Sequence, residues 1–149
     1  MCQKIIQKLT LKKILIISKY ASSSSFGFES RISNIARNMI DLGNDVNIIT
    51  SDSNHFASYE NFKKIYNKIK CGDLKIICIK TFKYSKTASI RRVLSWIDFE
   101  LKLFFINKNS LFEKPDVIIF AGDYTSSPKK VASMAKHRSR IVELLTKDQ

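Results

Sequence analysis

Residues 12–51 read KKILIISKYASSSSFGFESRISNIARNMIDLGNDVNIITS, and the order of elements within this stretch decides the fold. Ile14, Leu15, Ile16 and Ile17 follow one another without a polar break. That is the pattern of a short strand buried on both faces, not of one alternating between core and water. A loop of four serines, Gly27 and two phenylalanines comes next, after which Phe28, Ile32, Ile35, Ala36, Met39 and Ile40 recur at helical spacing. Gly43 stops that helix, because glycine takes the left-handed backbone of a C-terminal cap without penalty. Val46, Ile48 and Ile49 then make a second strand, so the stretch is one βαβ unit.

Working outward, residues 51–72 are polar and read as an insertion in which Phe56, Tyr59, Phe62, Ile65 and Tyr66 can form a short helix. LKIICIKT at 74–81 predicts a third strand. The longest helix is predicted over 89–107. There Ile90, Val93, Leu94, Ile97, Leu101, Phe104 and Phe105 form one apolar stripe, and Trp96, Phe99, Leu103 and Ile106 form another. A helix apolar on two sides wants cover on more than one side. Pro115 and Asp116 introduce a strand at 117–120. Ser127 and Pro128 then read as the cap and first-turn proline of a helix carrying Val131, Met134 and Ala135, and a last strand starts at Arg140 or Ile141. Strands alternating with helices predict an α/β fold, Rossmann-like and doubly wound, with a mostly parallel sheet. Such sheets take ligands outside the carboxyl ends of their strands, which directs attention to the loops 21–28, 51–55 and 121–127.

Composition sets the outer bounds. The 149 residues fit one domain, read as a short N-terminal extension at 1–11 and the domain proper at 12–149. A 44% hydrophobic content is enough to build a core and argues against disorder. No stretch approaches the roughly 20 apolar residues of a membrane span, and residues 1–11 lack the apolar run of a signal peptide, so a cytoplasmic protein is expected. Cys2, Cys71 and Cys78 are odd in number with no CxxC pair. Neither His55 nor His137 completes a zinc quartet, so reduced thiols and no metal are expected. The charge is the unusual quantity: 26 Lys and Arg against 13 Asp and Glu, a net +13. Ten cationic side chains against two acidic ones lie between Glu60 and Arg92, so an acidic partner is expected.

KKILIISKY, the loop ending in Gly27, and SRISNIARNMIDLGNDVNIITSDSNHF together resemble the opening of the N-terminal domain of GT-B glycosyltransferases of family 4. Ser30, Arg31, Ile35, Ala36, Gly43, Val46, Thr50 and Ser51 fall on that family's strand–loop–helix–strand pattern. RRVLSWIDFELKLFF is similar to its long helix, and KPDVIIFAGDYTSSP to its next strand and loop. Asn44 stands where the family commonly has histidine, and serines precede Gly27 where relatives often have a second glycine. Such enzymes pair this domain with a C-terminal one that binds the nucleotide sugar. The resemblance therefore implies half an enzyme, truncated before its donor-binding domain and incomplete as a catalyst alone. It implies transfer of a sugar from a nucleotide-sugar donor to a lipid-linked or saccharide acceptor in surface polysaccharide synthesis. The donor enters as substrate, and no other cofactor is implied.

The same residues also have a direct chemical reading. A serine and glycine loop before a helix can set backbone N–H groups and the positive helix end against a phosphate, which nominates Ser25, Gly27, Ser30 and Arg31; a polar connection with an N-cap explains them equally. His55 and Asp123, at predicted carboxyl ends of strands, are candidate bases for an acceptor hydroxyl, and each is also an ordinary turn residue. Lys63, Lys64, Lys68, Lys70, Arg91 and Arg92, with Trp96 and Phe99 on the long helix, suit an anionic membrane surface at the inner leaflet or a partner chain such as the missing domain. No zinc finger, helix-turn-helix or RNP pattern points to nucleic acid. The alternative class is a non-enzymatic basic α/β module that binds an anionic membrane surface or a partner chain.

Overall fold

The structure, a computed structural model, describes residues 11–53, 59, 62–84, 90–105 and 114–121, and the backbone of 140–144. Its elements run β1 (Lys13–Ile17), a 3-10 turn (Ser24–Phe26), α1 (Arg31–Asp41), β2 (Asp45–Ser51), β3 (Tyr66–Cys71), β4 (Leu74–Ile79), α2 (Ile90–Phe105), β5 (Val117–Ala121) and β6 (Arg140–Leu144). They form one six-stranded sheet in the order β3-β4-β2-β1-β5-β6, parallel throughout except where β3 meets β4. The fold is thus the expected doubly wound α/β sheet.

The unbroken apolar run of β1 has a direct cause in this order. β1 sits between β2 and β5, with Ile16 opposite Ile48 on one side and Ile119 on the other, and each face of the sheet has its own core. Ile14, Ile16, Val46, Ile48 and Ile76 pack with Ile32 and Ala36 of α1. Leu15, Ile17, Ile49, Ile77, Ile118 and Phe120 pack with Phe99 and Leu103 of α2. A strand covered on both faces has no polar side to show.

α1 ends as its sequence predicts. Gly43 takes φ +88° and its N–H bonds the Ile40 carbonyl at 2.7 Å. Asn44 then ties the helix end to β1: its Nδ2 donates to the Met39 carbonyl at 2.9 Å and its Oδ1 accepts from the Lys12 N–H at 3.3 Å. An amide, which carries donor and acceptor at once, suits this bridge.

The insertion at 51–72 departs from expectation. Tyr66 opens β3 instead of closing a helix, and a two-residue turn at Gly72 and Asp73 returns the chain into β4. The helical spacing of aromatics across 56–66 is therefore not expressed at Tyr66. β3 is an edge strand alternating Lys68 and Lys70 with Ile69 and Cys71, so its pattern is half polar and weak. The predicted helix at 127–135 lies outside the described residues.

Candidate functional site

The strand order reverses between β1 and β5, because the chain steps outward from β1 to β2 and β4 and then returns to β5. The crevice at their carboxyl ends is where a sheet of this type takes its ligand. From β1 the chain enters it directly as residues 18–30.

That loop is built from the inside by hydroxyl groups. Ser22, Ser23 and Ser33 are fully buried and Ser30 nearly so. Ser30 caps α1: its Oγ accepts the Ser33 N–H at 3.2 Å and the Ser22 N–H at 3.1 Å. Ser33 Oγ donates to the Ser22 carbonyl, and Thr50 Oγ1, from the end of β2, donates to the Ala21 carbonyl at 2.8 Å. Tyr59 closes the loop from outside, its hydroxyl on the Ala21 carbonyl at 2.9 Å and its ring centroid 4.4 Å from that of Phe26. Burial pushes that hydroxyl's pKa up to about 12, so it stays a donor. Ser30→Ala should cost about 2 kcal/mol in urea unfolding, since it removes a cap and strands the buried Ser22 N–H.

The outer rim carries charge of both signs. The Glu29 carboxylate accepts the Ser24 N–H at 2.7 Å and pairs with Arg37 Nε at 3.2 Å, while Arg37 also reaches Ser23 Oγ. Burial works against this carboxylate, but the hydrogen bonds from Ser24 and Arg37 outweigh it and hold its pKa below the usual value. Glu29 thereby fills from within the kind of N–H position that an external anion would use. Ser25, Gly27 and Arg31 are each exposed, Gly27 at φ +85°. Of the four residues nominated in this loop, three are exposed, and Ser30 is committed to the helix cap.

Beside the loop lies a group that the sequence analysis did not single out. Lys19, two residues past β1 and only 1% exposed, continues the Leu15–Ile17 face of the strand beneath α2. Its Nζ donates to Ser95 Oγ at 3.0 Å and stands 5.6–5.8 Å from the ring centroids of Tyr20, Tyr84 and Trp96. Trp96 Nε1 donates to the Tyr20 hydroxyl at 2.8 Å, and the Arg92 guanidinium lies 5.1 Å from the Trp96 ring centre. Desolvation, and then the charge of Arg92, lower the Lys19 pKa to about 7 against the opposing pull of Asp98 and Glu100. The signal available in the sequence was parity: 15, 17 and 19 fall on one face of an extended chain.

A second such group is Asp52, just past β2 and 4% exposed. Its Oδ1 accepts the Thr81 N–H at 2.7 Å, joining the ends of β2 and β4, while Oδ2 has no hydrogen-bond partner among the described residues. His55 and Asp123, the two candidate bases, lie outside the described residues.

The basic residues fall into two groups. Lys63, Lys64 and Lys68 line an open groove of about 620 Å3 with Phe62 and Tyr66, and Lys70 follows on the same face of β3. Arg91 and Arg92 lie in the first turn of α2, whose other end touches β3 through the Tyr66 hydroxyl on the Lys102 carbonyl. About 16 Å of helix separates Arg91 from Lys102. The aromatic anchors need correction: Phe99 is 1% exposed in the α2-side core, and Trp96 is half-buried against Tyr20, so Phe99 has no surface to offer a partner. Among the described residues, no group of three His, Cys, Asp or Glu side chains could hold a metal, and no helix is long and apolar enough to cross a membrane.

No protein-family model matches the chain, and no curated protein is similar to it. Among solved structures, one described as trehalose-6-phosphate from E. coli bound with UDP-2-fluoro glucose aligns with 72% of this chain, at 10% identity and a TM-score of 0.40. The chain spans 27% of that protein's length.

Proposed function

We propose that this chain is the acceptor-side domain of a family 4 type glycosyltransferase, which moves a sugar from a nucleotide-sugar donor to a hydroxyl of a lipid-linked acceptor in surface polysaccharide synthesis, peripheral to the inner face of the membrane. The observation that carries the reading is positional. The unit bearing the resemblance, residues 12–51, sets its serine loop at the crevice where the strand order reverses, with Ser25, Gly27 and Arg31 exposed there. In this rim Glu29 is paired with Arg37 and Arg31 stands exposed; the Glu29 carboxylate repels an anion placed beside it and accepts from hydroxyl groups, which favours a polyol over a bare phosphate there. The acceptor role of the loop follows from that chemistry, with Asp123 and His55 kept as candidate bases for the acceptor hydroxyl.

A second reading, a non-enzymatic basic module, draws on the lysine-lined groove of β3. Thermal unfolding separates the two. A bound acceptor at about 100 times its Kd adds about 2.7 kcal/mol, or roughly 5–10 °C for a chain of this size. Saccharide or glycolipid acceptors should raise the midpoint, Arg31→Ala should shrink the rise, and UDP, GDP and their sugar conjugates should leave the midpoint unmoved. If no acceptor moves it, while polyanions do so through Lys63, Lys64, Lys68 and Lys70, the basic module stands in its place.

A further inference from the structure

α2 buries one apolar stripe and leaves the other bare. Ser95, Phe99 and Leu103 face the sheet, while Ile90, Val93, Leu94, Ile97, Leu101, Phe104 and Phe105 are each 48–80% exposed. At 100° per residue these seven fall in one arc of about 120°, centred opposite Phe99 and containing no charged residue. The stripe runs the whole helix, about 24 Å. A helix lying on one face of a sheet buries only its inner side, so the fold itself does not call for this outer arc.

We propose that the outer arc of α2 docks on the surface of an anionic lipid bilayer, lying in the plane of the interface with its apolar side chains below the headgroups. The proposal rests on the membrane-facing part of the function above, to which it adds the surface and the class of lipid. Charge complementarity selects this occupant. Lys68 and Lys70 project from β3 on the side of the sheet that α2 covers, as the partnership of Lys68 with Ile77 and the Tyr66–Lys102 contact show. Arg91 is exposed about 40° beyond the arc, and of the two carboxylates that flank the arc Asp98 is neutralised by Lys102 at 2.7 Å and Glu100 is half-buried. An apolar stripe beside lysines suits anionic lipid. A second copy of the chain would bring another +13 against the first, which opposes self-association.

The test is flotation of the full chain with vesicles of phosphatidylcholine, with and without 30 mol% phosphatidylglycerol, together with sedimentation velocity. Binding is expected to the anionic vesicles only, and to fall between 0.1 and 0.5 M salt. Ile97→Asp/Leu101→Asp should abolish it with the far-ultraviolet dichroism unchanged, since both positions are exposed. Lys68→Glu/Lys70→Glu should weaken it roughly tenfold or more. Equal binding to neutral vesicles, or binding that survives the two aspartates, overturns the proposal. So does a dimer that Ile97→Asp dissociates, which would assign the arc to a second copy. Vesicle binding without any acceptor-induced rise in the unfolding midpoint keeps the docking surface and removes glycosyl transfer; the converse removes the docking surface alone.

Discussion

Between pH 7 and pH 9 the wild-type chain is expected to gain stability over a Lys19→Met variant by about 1.4 kcal/mol per pH unit. Lys19 has a folded-state pKa of about 7, whereas the unfolded chain keeps the ordinary 10.5. Below pH 7 both states carry the proton, and the folded state bears the full cost of a charge buried under α2. From pH 7 upward the folded state releases the proton while the unfolded state retains it, so unfolding takes up a proton and stability rises with pH. The rise would end near pH 10.5. The raised pKa values of the Cys78 thiol and the Tyr84 hydroxyl, both desolvated, act in the opposite sense above about pH 9, which sets the upper limit of the measurement. Subtracting the Lys19→Met curve removes the groups that do not feel Lys19, and the pH limit keeps out Tyr84, whose ring centre lies 5.8 Å from its Nζ. Urea midpoints at pH 6, 7, 8 and 9 are sufficient. A flat difference would mean that Asp98, Glu100 and the three rings hold the ammonium charged throughout, and that its burial costs far less than its position under α2 implies.

What was legible in the sequence follows a physical rule. β1, α1, β2, β4, α2 and β5 were legible because each buries a continuous or periodic apolar set, and burial is what periodicity records. β3 escaped because its signal is divided: as an edge strand it shows Lys68 and Lys70 outward and contributes only part of a face to the core. The loop was legible as a site by its place after β1, but not as a network. Nothing in a run of four serines says that Ser22 and Ser23 turn inward while Ser25 faces out, since that depends on carbonyls and hydroxyls supplied by β2, α1 and Tyr59. Lys19 was the largest omission. A lysine next to a strand reads as a solvated end, and only the three aromatics gathered around it from the loop after β1, α2 and the segment after β4 make a buried position tenable.

The two stripes of α2 pose the sharpest question that the sequence left open, and Phe99→Ala answers it. Both stripes are apolar, and the exposed one is the longer, so hydrophobicity alone gives no reason for the sheet to take the other. Ser95 supplies one: a small residue between the helix and β1 leaves room for the Lys19 chain and gives it a hydroxyl. Phe99 and Leu103 then fall on Leu15, Ile17 and Ile49. Truncating Phe99 at the centre of that core should cost about 3–5 kcal/mol, a large part of what a domain of this size possesses. Leu101→Ala, two residues away on the bare stripe, should change stability by less than about 1 kcal/mol. Denaturation midpoints of the two variants without lipid read the contrast directly. Equal losses would mean that the outer arc is already covered in solution. A large loss confined to Phe99 leaves that arc free to meet a surface.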